Sequence, residues 1–129
     1  MRKTIARAVY NDAELNSLGI TRDSINSGDV DTPSQRPYIV FRWGETNPGV
    51  DVVRQRSLVV WVHDRPNDYD RIDQIIKRIR DVLTSIAAQR TDTGWISSID
   101  WTLDSGDLSD DISRTIIRTS TFNIVGSGQ

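Results

Sequence analysis

Few residues in this sequence have the types and spacing that catalysis or metal binding requires. The only histidine, His63, stands beside Asp64 at the end of a predicted strand. A Ser–His–Asp triad also needs a positioned serine, and the G-x-S-x-G pattern is absent from the sequence. One imidazole without any cysteine thiolate does not supply a zinc ligand set. We therefore interpret His63 as a polar residue at a strand end and predict a protein that is not an enzyme and has no cofactor.

An acidic cluster near the carboxyl end could indicate a calcium loop. It contains four aspartates in eight residues: Asp104, Asp107, Asp110 and Asp111. Their spacing does not follow D-x-[DN]-x-[DN]-G, and no glutamate follows that could bind the ion with both oxygens. The sequence favours a solvated acidic turn and no metal site.

Nucleotide and nucleic-acid binding have little support in the sequence. Gly44 and Gly49 match neither phosphate-binding glycine pattern. The net charge of −2 also lacks the basic excess that is typical of dedicated nucleic-acid binders. Three aromatic residues flank Arg42 and could stack on bases, but their β-strand context favours core packing: Tyr38, Phe41 and Trp43.

The element with the strongest pattern is an amphipathic helix that follows Pro66. Asn67 is the predicted N-cap, and the helix is expected to end near Ala88. Six aliphatic residues recur at helical spacing on one side: Ile72, Ile75, Ile76, Ile79, Leu83 and Ile86. A single apolar stripe of this kind is suited to covering one face of a sheet.

Two pairs of strands flank this helix. Residues 38–43 and 52–63 are predicted to form an antiparallel hairpin, and residues 95–103 and 112–125 form the later strands. The hairpin is polar where its strands are joined, so residues 44–56 are expected to project from the core as an arm. Period-two alternation places one set of side chains of the third strand on a common face: Trp95, Ser97, Ile99, Trp101 and Leu103.

Together these elements predict one α+β domain over residues 1–129. Its antiparallel or mixed sheet has about four strands, covered by the long helix and a short N-terminal helix, in the order α-β-β-α-β-β. Asn11 and Glu14 resemble a capping box that divides the N-terminal segment into two short helices. The remaining boundaries are a helical segment at 2–18, a long loop at 19–37, the β-β-α-β-β unit at 38–125 and a flexible tail at 126–129.

Charges of opposite sign occur on the strands and in the acidic turn. The residues that we select as a candidate subunit or partner interface are Arg54, Arg56, Asp107, Asp110, Arg114 and Arg118. A solvated sheet face explains these charges as well as a head-to-tail contact does, in which the acidic loop of one subunit meets the arginines of the next. A heterologous contact of this kind closes into a ring when the rotation allows it.

The order of these segments resembles the tail terminator, or tail completion, proteins of long-tailed bacteriophages. The resemblance covers residues 5–125. It is carried by the entry strand "RPYIVFRWG", by "RQRSLVVWVHDRP" leading into the helix "DYDRIDQIIKRIRDVL", and by "GWISSIDWTLDSGDLSDD" before the strand "ISRTIIRTSTFNIV".

The resemblance implies a homo-oligomer, a hexameric ring, that caps the tail tube, ends its polymerisation and joins the tail to the head connector. Its implied partners are the tail tube protein and the head–tail connector proteins, with DNA passing through the lumen without sequence recognition and no membrane involved. The implied location is the head–tail junction of a virion assembled in the bacterial cytoplasm. A head–tail adaptor and a small non-viral ligand-binding or regulatory domain are the alternatives.

Overall fold

The computed structural model describes residues 2–27, 37–48, 54–86, 89–90, 94–110 and 114–127. Three α-helices lie in these ranges: α1 (Arg2–Tyr10), α2 (Ala13–Ser17) and α3 (Tyr69–Thr84). A 3₁₀ turn covers Arg22–Ser24. The strands are β1 (Ile25–Ser27), β2 (Tyr38–Pro48), β3 (Arg54–Asp64), β4 (Gln89–Arg90), β5 (Trp95–Asp104), β6 (Leu108–Asp110) and β7 (Thr115–Ser127).

These strands form one sheet in the order β1-β2-β3-β7-β5-β4, with β6 also paired to β7. All pairs are antiparallel except β1 with β2. The predicted α+β class, the mixed sheet and the covering helix are therefore confirmed. The described residues hold more strands than expected because three short ones, β1, β4 and β6, lie in segments that have no alternating pattern.

The apolar stripe of α3 packs against the sheet as predicted. Five of its residues are buried, and α3 contacts β3, β5 and β7. The predicted helix ends were wrong. The N-cap is Asp68, since Asn67 has a φ of 72° and makes the left-handed turn before the helix. Ser85 caps the other end, so the helix stops before Ala88, which lies outside the described residues.

The N-terminal segment forms two short helices, and Asp12 rather than Asn11 is the cap between them. The Asp12 carboxylate accepts a hydrogen bond from the Leu15 N–H at 3.0 Å, which satisfies a donor at the start of α2. Residues 19–37 were expected to be a loop, but they include the 3₁₀ turn and β1. Ile25 lies opposite Ile39 in a parallel pair, and residues 28–36 lie outside the described ranges.

The predicted face of β5 was wrong because the strand contains two register shifts. Ile96 and Ile99 are both buried, although strict alternation would place them on opposite faces. A shift between Ile96 and Ser98 moves one residue out of the ladder, and another follows between Trp101 and Leu103. As a result, three of the large side chains are exposed: Trp95, Trp101 and Leu103.

The predicted arm was also wrong over its described part. Residues 54–56 pair with residues 124–126 of β7, so they belong to the central sheet, and the connection at 49–53 lies outside the described residues. The expected flexible tail begins in the sheet too. Gly126 pairs with Ile96, and a Cβ there would lie 2.3 Å from the Trp95 carbonyl oxygen, so only glycine fits.

The helices lie together on one face of the sheet. Helices α1 and α2 contact α3, and the core between this layer and the sheet includes Ile5, Phe122 and Ile124. On the other face, Val59 and Trp61 are half-buried in the described part of the chain. None of the described helices has the length and apolarity to cross a membrane.

Candidate assembly surfaces

His63 is a buried part of the sheet. Its Nδ1 lies 3.0 Å from the hydroxyl oxygen of Thr115, and its ring stacks on Tyr38 with centroids 4.4 Å apart. Both neighbours come from the strands beside β3, so the imidazole joins three strands. Within the described ranges, no group of three or more metal-ligating side chains occurs. The arrangement suits packing, and the absence of enzymatic activity stays a prediction.

The six candidate interface residues do not form one cluster. Arg56 pairs with Ile124 near one end of β7, whereas Arg118 pairs with Val62 six residues earlier, so the two arginines are about 20 Å apart. Asp110 pairs with Thr115 at the start of β7, three residues before Arg118. Asp107 and Arg114 are exposed just before β6 and β7. The side chains of Arg54 and Asp110 are not among those described.

Arg118 is bound within its own chain. Its guanidinium contacts the Asp73 carboxylate on α3 and donates to the Ser105 carbonyl oxygen at 3.2 Å. These contacts hold β7 and the segment before β6 against the helix. The sequence could not reveal this pairing, because Asp73 is 45 residues away along the chain.

Two arginines on α3 also bind aspartates, at the helix layer. Arg71 Nε donates to the fully buried Asp64 carboxylate at 2.7 Å, and this contact raises the pKa of Arg71. Arg78 Nε and one of its terminal nitrogens donate to the two oxygens of Asp12 at 2.9 and 2.7 Å. This bidentate hydrogen bond is the main reason that the pKa of Asp12 lies below its usual value.

Asp104 connects β5 to its surroundings. Its Oδ1 accepts hydrogen bonds from Trp101 Nε1 at 2.8 Å and from Ser120 Oγ at 2.6 Å, and Arg80 lies 3.7 Å away. The Arg80 guanidinium also sits 4.7 Å from the Trp101 ring centroid. Of the predicted acidic cluster, Asp104 is thus used within the fold, whereas Asp107 is exposed.

A second group of cations surrounds a cavity between α1, the 3₁₀ turn and β2. The cavity has a volume of about 480 Å³, and we call it the basic pocket. Its described lining residues are Arg2, Lys3, Ala6, Arg7, Tyr10, Arg22, Ile25, Phe41 and Trp43. The lining therefore combines four cations with apolar side chains and three aromatic rings, and none of these residues carries a carboxylate.

The Trp43 ring, which lines the pocket, lies beside two arginines, of which Arg2 also lines it. Arg2 lies 5.5 Å from the ring centroid and Arg56 lies 4.7 Å from it. Burial, with a contribution from the nearby Arg2 charge, lowers the pKa of Arg56. The buried Arg56 Nε makes no hydrogen bond to the described residues. This side of the molecule thus holds like charges close together.

Sequence reasoning missed the basic pocket, although a signal was present. Arg2, Lys3 and Arg7 fall within about 140° of one helical side, next to the stripe of Ile5 and Val9 that enters the core. The strand residues that also line the pocket could not be assigned to it from the sequence, because their position depends on how β1 pairs with β2.

A second surface combines negative charge with exposed apolar side chains. We call it the acidic edge and define it as Asp100, Trp101, Leu103, Asp107 and Leu108. Leu103 is 56 % exposed, Leu108 is 44 % exposed and Trp101 is 41 % exposed. Leu103 and Leu108 pair with Thr121 and Ile117, which share a face of β7, and exposed large apolar residues on one face are typical of interaction sites. The register shifts in β5 are what bring Leu103 to the surface.

No protein-family profile matches this sequence, and no curated protein matches it either. The fold is similar to that of a chain in a solved structure titled "Virion of native gene transfer agent (GTA) particle". The TM-score is 0.75 at 11 % sequence identity, and the match covers 96 % of this chain and 92 % of that chain. A likeness at this identity shows a shared fold over nearly the whole of both chains.

Proposed function

We propose that this protein is a structural virion protein: a tail terminator whose copies form a ring that caps the tail tube, ends its polymerisation and joins it to the head connector. The observation that carries the proposal is the likeness to a chain of a phage-like particle, because it spans 96 % of this chain and 92 % of the other. The segment order of the sequence supports the same assignment independently, through its resemblance to tail terminators.

The described surfaces support a role in assembly. The basic pocket and the acidic edge carry opposite charge at different places on the chain, which suits repeated contacts between identical subunits. We propose Arg54, Arg56, Asp107, Asp110 and Arg114 as interface residues. Arg118 is left out of this set, since it binds Asp73 of its own chain.

Deletion of the gene in its phage or particle producer tests the terminator role directly. Without the protein, we expect tails of irregular and excessive length that remain unattached to heads, seen by electron microscopy of the lysate. Tails of normal length that stay unattached would instead identify a head–tail adaptor. Intact infectious particles without the protein would refute both roles and favour the non-viral alternative.

The double substitution Arg54→Glu with Arg56→Glu tests the proposed strand interface. We expect the folded protein to remain, as judged by circular dichroism, while ring formation or control of tail length is reduced. Normal tails and normal infectivity with this variant would refute an interface at this end of β3. The substitution Arg65→Glu, on an exposed residue after β3, is the matched control.

A further inference from the structure

We propose that the basic pocket of one copy receives the acidic edge of a second copy, which makes a head-to-tail contact. The partner is thus an identical chain, and the segment that enters is the one around Asp107. This contact rests on the proposed function, because that function requires several copies of the chain to assemble.

The composition of the pocket favours an acidic, apolar polypeptide as its occupant. Its floor includes Ile25 and Phe41, and the cations of Arg2, Arg7 and Arg22 line it. A bare phosphate would use the cations and leave the apolar floor exposed to water. An apolar side chain flanked by carboxylates satisfies both parts, since burial of the apolar area is favourable and the charges attract.

Three arginines of the pocket lack, among the described residues, the carboxylate partner that other arginines of this chain have. Within the described ranges, Arg2, Arg7 and Arg22 make no ion pair, whereas Arg71, Arg78 and Arg118 each bind an aspartate. Arg22 instead lies 5.9 Å from the Tyr10 ring centroid, where a cation–π contact leaves its charge uncompensated. An anionic partner would relieve the repulsion between these charges.

The acidic edge presents the matching groups. Asp107 is exposed. A Cβ added to the neighbouring Gly106 would meet no atom within 4 Å, so this segment stands clear of the rest of the chain. Leu103 and Leu108 supply exposed apolar side chains within a few residues of Asp107. The edge therefore offers carboxylate and apolar groups in one short stretch.

The sheet places the two surfaces on opposite sides of the molecule. The pocket lies at β1 and β2, the acidic edge lies at β5 and β6, and three strand spacings, or about 14 Å, separate β2 from β5. A chain therefore cannot fill its own pocket with its own edge. A contact between two different surfaces repeats from copy to copy and gives a ring or a filament.

The backbone at both surfaces also permits close approach. Within the described residues, β2 has no strand partner on its outer side from Trp43 to Pro48, and β5 has none from Ser98 to Asp104. Unpaired strand edges are sites at which another chain can add hydrogen bonds. Each of these edges, as far as the described residues show it, adjoins one of the two charged surfaces.

Charge exchange between the two surfaces tests the contact. We expect Arg7→Glu or Asp107→Arg alone to weaken self-association by about tenfold or more, and the two substitutions in one chain to restore it. The readout is sedimentation velocity of the full chain over a range of concentration and salt, with Arg65→Glu as control. Weakening by Arg65→Glu to the same extent, or failure of the double variant to recover, would overturn the contact.

Crosslinking detects the contact even when it is too weak for sedimentation. The chain has no cysteine, so the substitutions Ala6→Cys in the pocket and Gly106→Cys at the edge can be placed in one chain and joined by a short bismaleimide. We expect a ladder of crosslinked copies, and only background crosslinking when Ser17→Cys replaces Ala6→Cys. The absence of both a ladder and association would overturn the proposal.

Nucleic acid is the competing occupant of a cationic pocket. Labelled single-stranded and duplex DNA can be titrated with the parent chain and with Arg7→Glu by fluorescence anisotropy. DNA binding that depends on Arg7, together with self-association that does not, would overturn the proposal.

Normal tails from cells lacking the protein would refute the terminator role, whereas recovery of association in the double variant would still support the contact between copies.

Discussion

The arginines around α3 and the arginines around the basic pocket are used in different ways. Arg71, Arg78 and Arg118 each bind an aspartate of another element, and these contacts connect α3 to β3, to α2 and to β7. Arg2 and Arg7 at the pocket have no such partner within the described residues. The same residue type therefore stabilises the fold in one region and leaves a net charge available for a partner in the other.

The difference follows from where the carboxylates lie. Asp64 and Asp12 sit at the ends of secondary structure elements next to the helix layer, where burial makes an unpaired charge costly. The pocket opens to solvent, where water screens like charges and allows them to remain close. Substitutions in the two regions should therefore change different properties.

The largest effect is expected from Asp64→Ala. This change leaves the Arg71 guanidinium without its main acceptor and removes a hydrogen bond from the Arg65 N–H, so the free energy of unfolding should fall by about 3–5 kcal/mol. Urea denaturation followed by circular dichroism measures it. Asp68→Ala is the control, because Asp68 contacts the same guanidinium at 3.3 Å but is only half-buried and makes no side-chain hydrogen bond as the helix cap, so its loss should cost below about 1 kcal/mol. Equal losses for both variants would contradict this comparison.

A smaller effect is expected from Asp12→Ala. The carboxylate both caps α2 and binds Arg78, so its removal should lower the free energy of unfolding by about 1–2 kcal/mol. Asp12→Asn separates the two roles, because the amide oxygen retains the cap and the ion pair is lost. The stability of the asparagine variant should lie between that of the alanine variant and that of the parent in thermal unfolding.

The Asp12 contact also predicts a dependence on pH. Since Arg78 lowers the pKa of Asp12 from its usual 3.8, the pair contributes stability above about pH 4, and this contribution is lost as the pH falls through the lowered pKa. The difference in stability between the parent and Asp12→Asn should thus shrink on acidification below pH 3.8. A difference that grows on acidification would show that the carboxylate is not held in its charged form by Arg78.

Arg118→Ala should have a modest effect on stability. Asp73 is more than half exposed, so loss of the contact with it and with Ser105 should cost about 0.5–1 kcal/mol. Self-association should stay unchanged in sedimentation velocity, because Arg118 faces its own helix. A folded variant that no longer associates would place Arg118 at the interface.

The smallest effect on stability is expected at the pocket. Arg7→Glu and Arg22→Glu should each change the free energy of unfolding by less than about 0.5 kcal/mol, since neither side chain makes an ion pair within the described residues. Urea denaturation measures this change at a concentration low enough for single copies. A loss near that of Asp64→Ala would mean that these arginines stabilise the fold after all.

Much of the fold could be predicted because the spacing of apolar residues is a local property of the sequence. The stripe from Ile72 to Leu83 gives α3 its buried side, and the apolar residues of β2 and the second half of β3 predict two strands. The charged residues were harder to predict. Arg118 was selected as an interface residue because the sequence does not show that Asp73 of α3 binds it.

The sequence by itself determined the order of the long elements, the amphipathic helix and the lack of a recognised catalytic pattern. These depend on periodicity and residue type over short stretches, which are present before the chain folds. Only the tertiary structure decided which arginines find an aspartate and which face the pocket. It also decided which side of β5 is buried, because the register shifts after Ile96 and Trp101 are set by pairing with β7. These features depend on long-range pairing, which a local sequence pattern does not show.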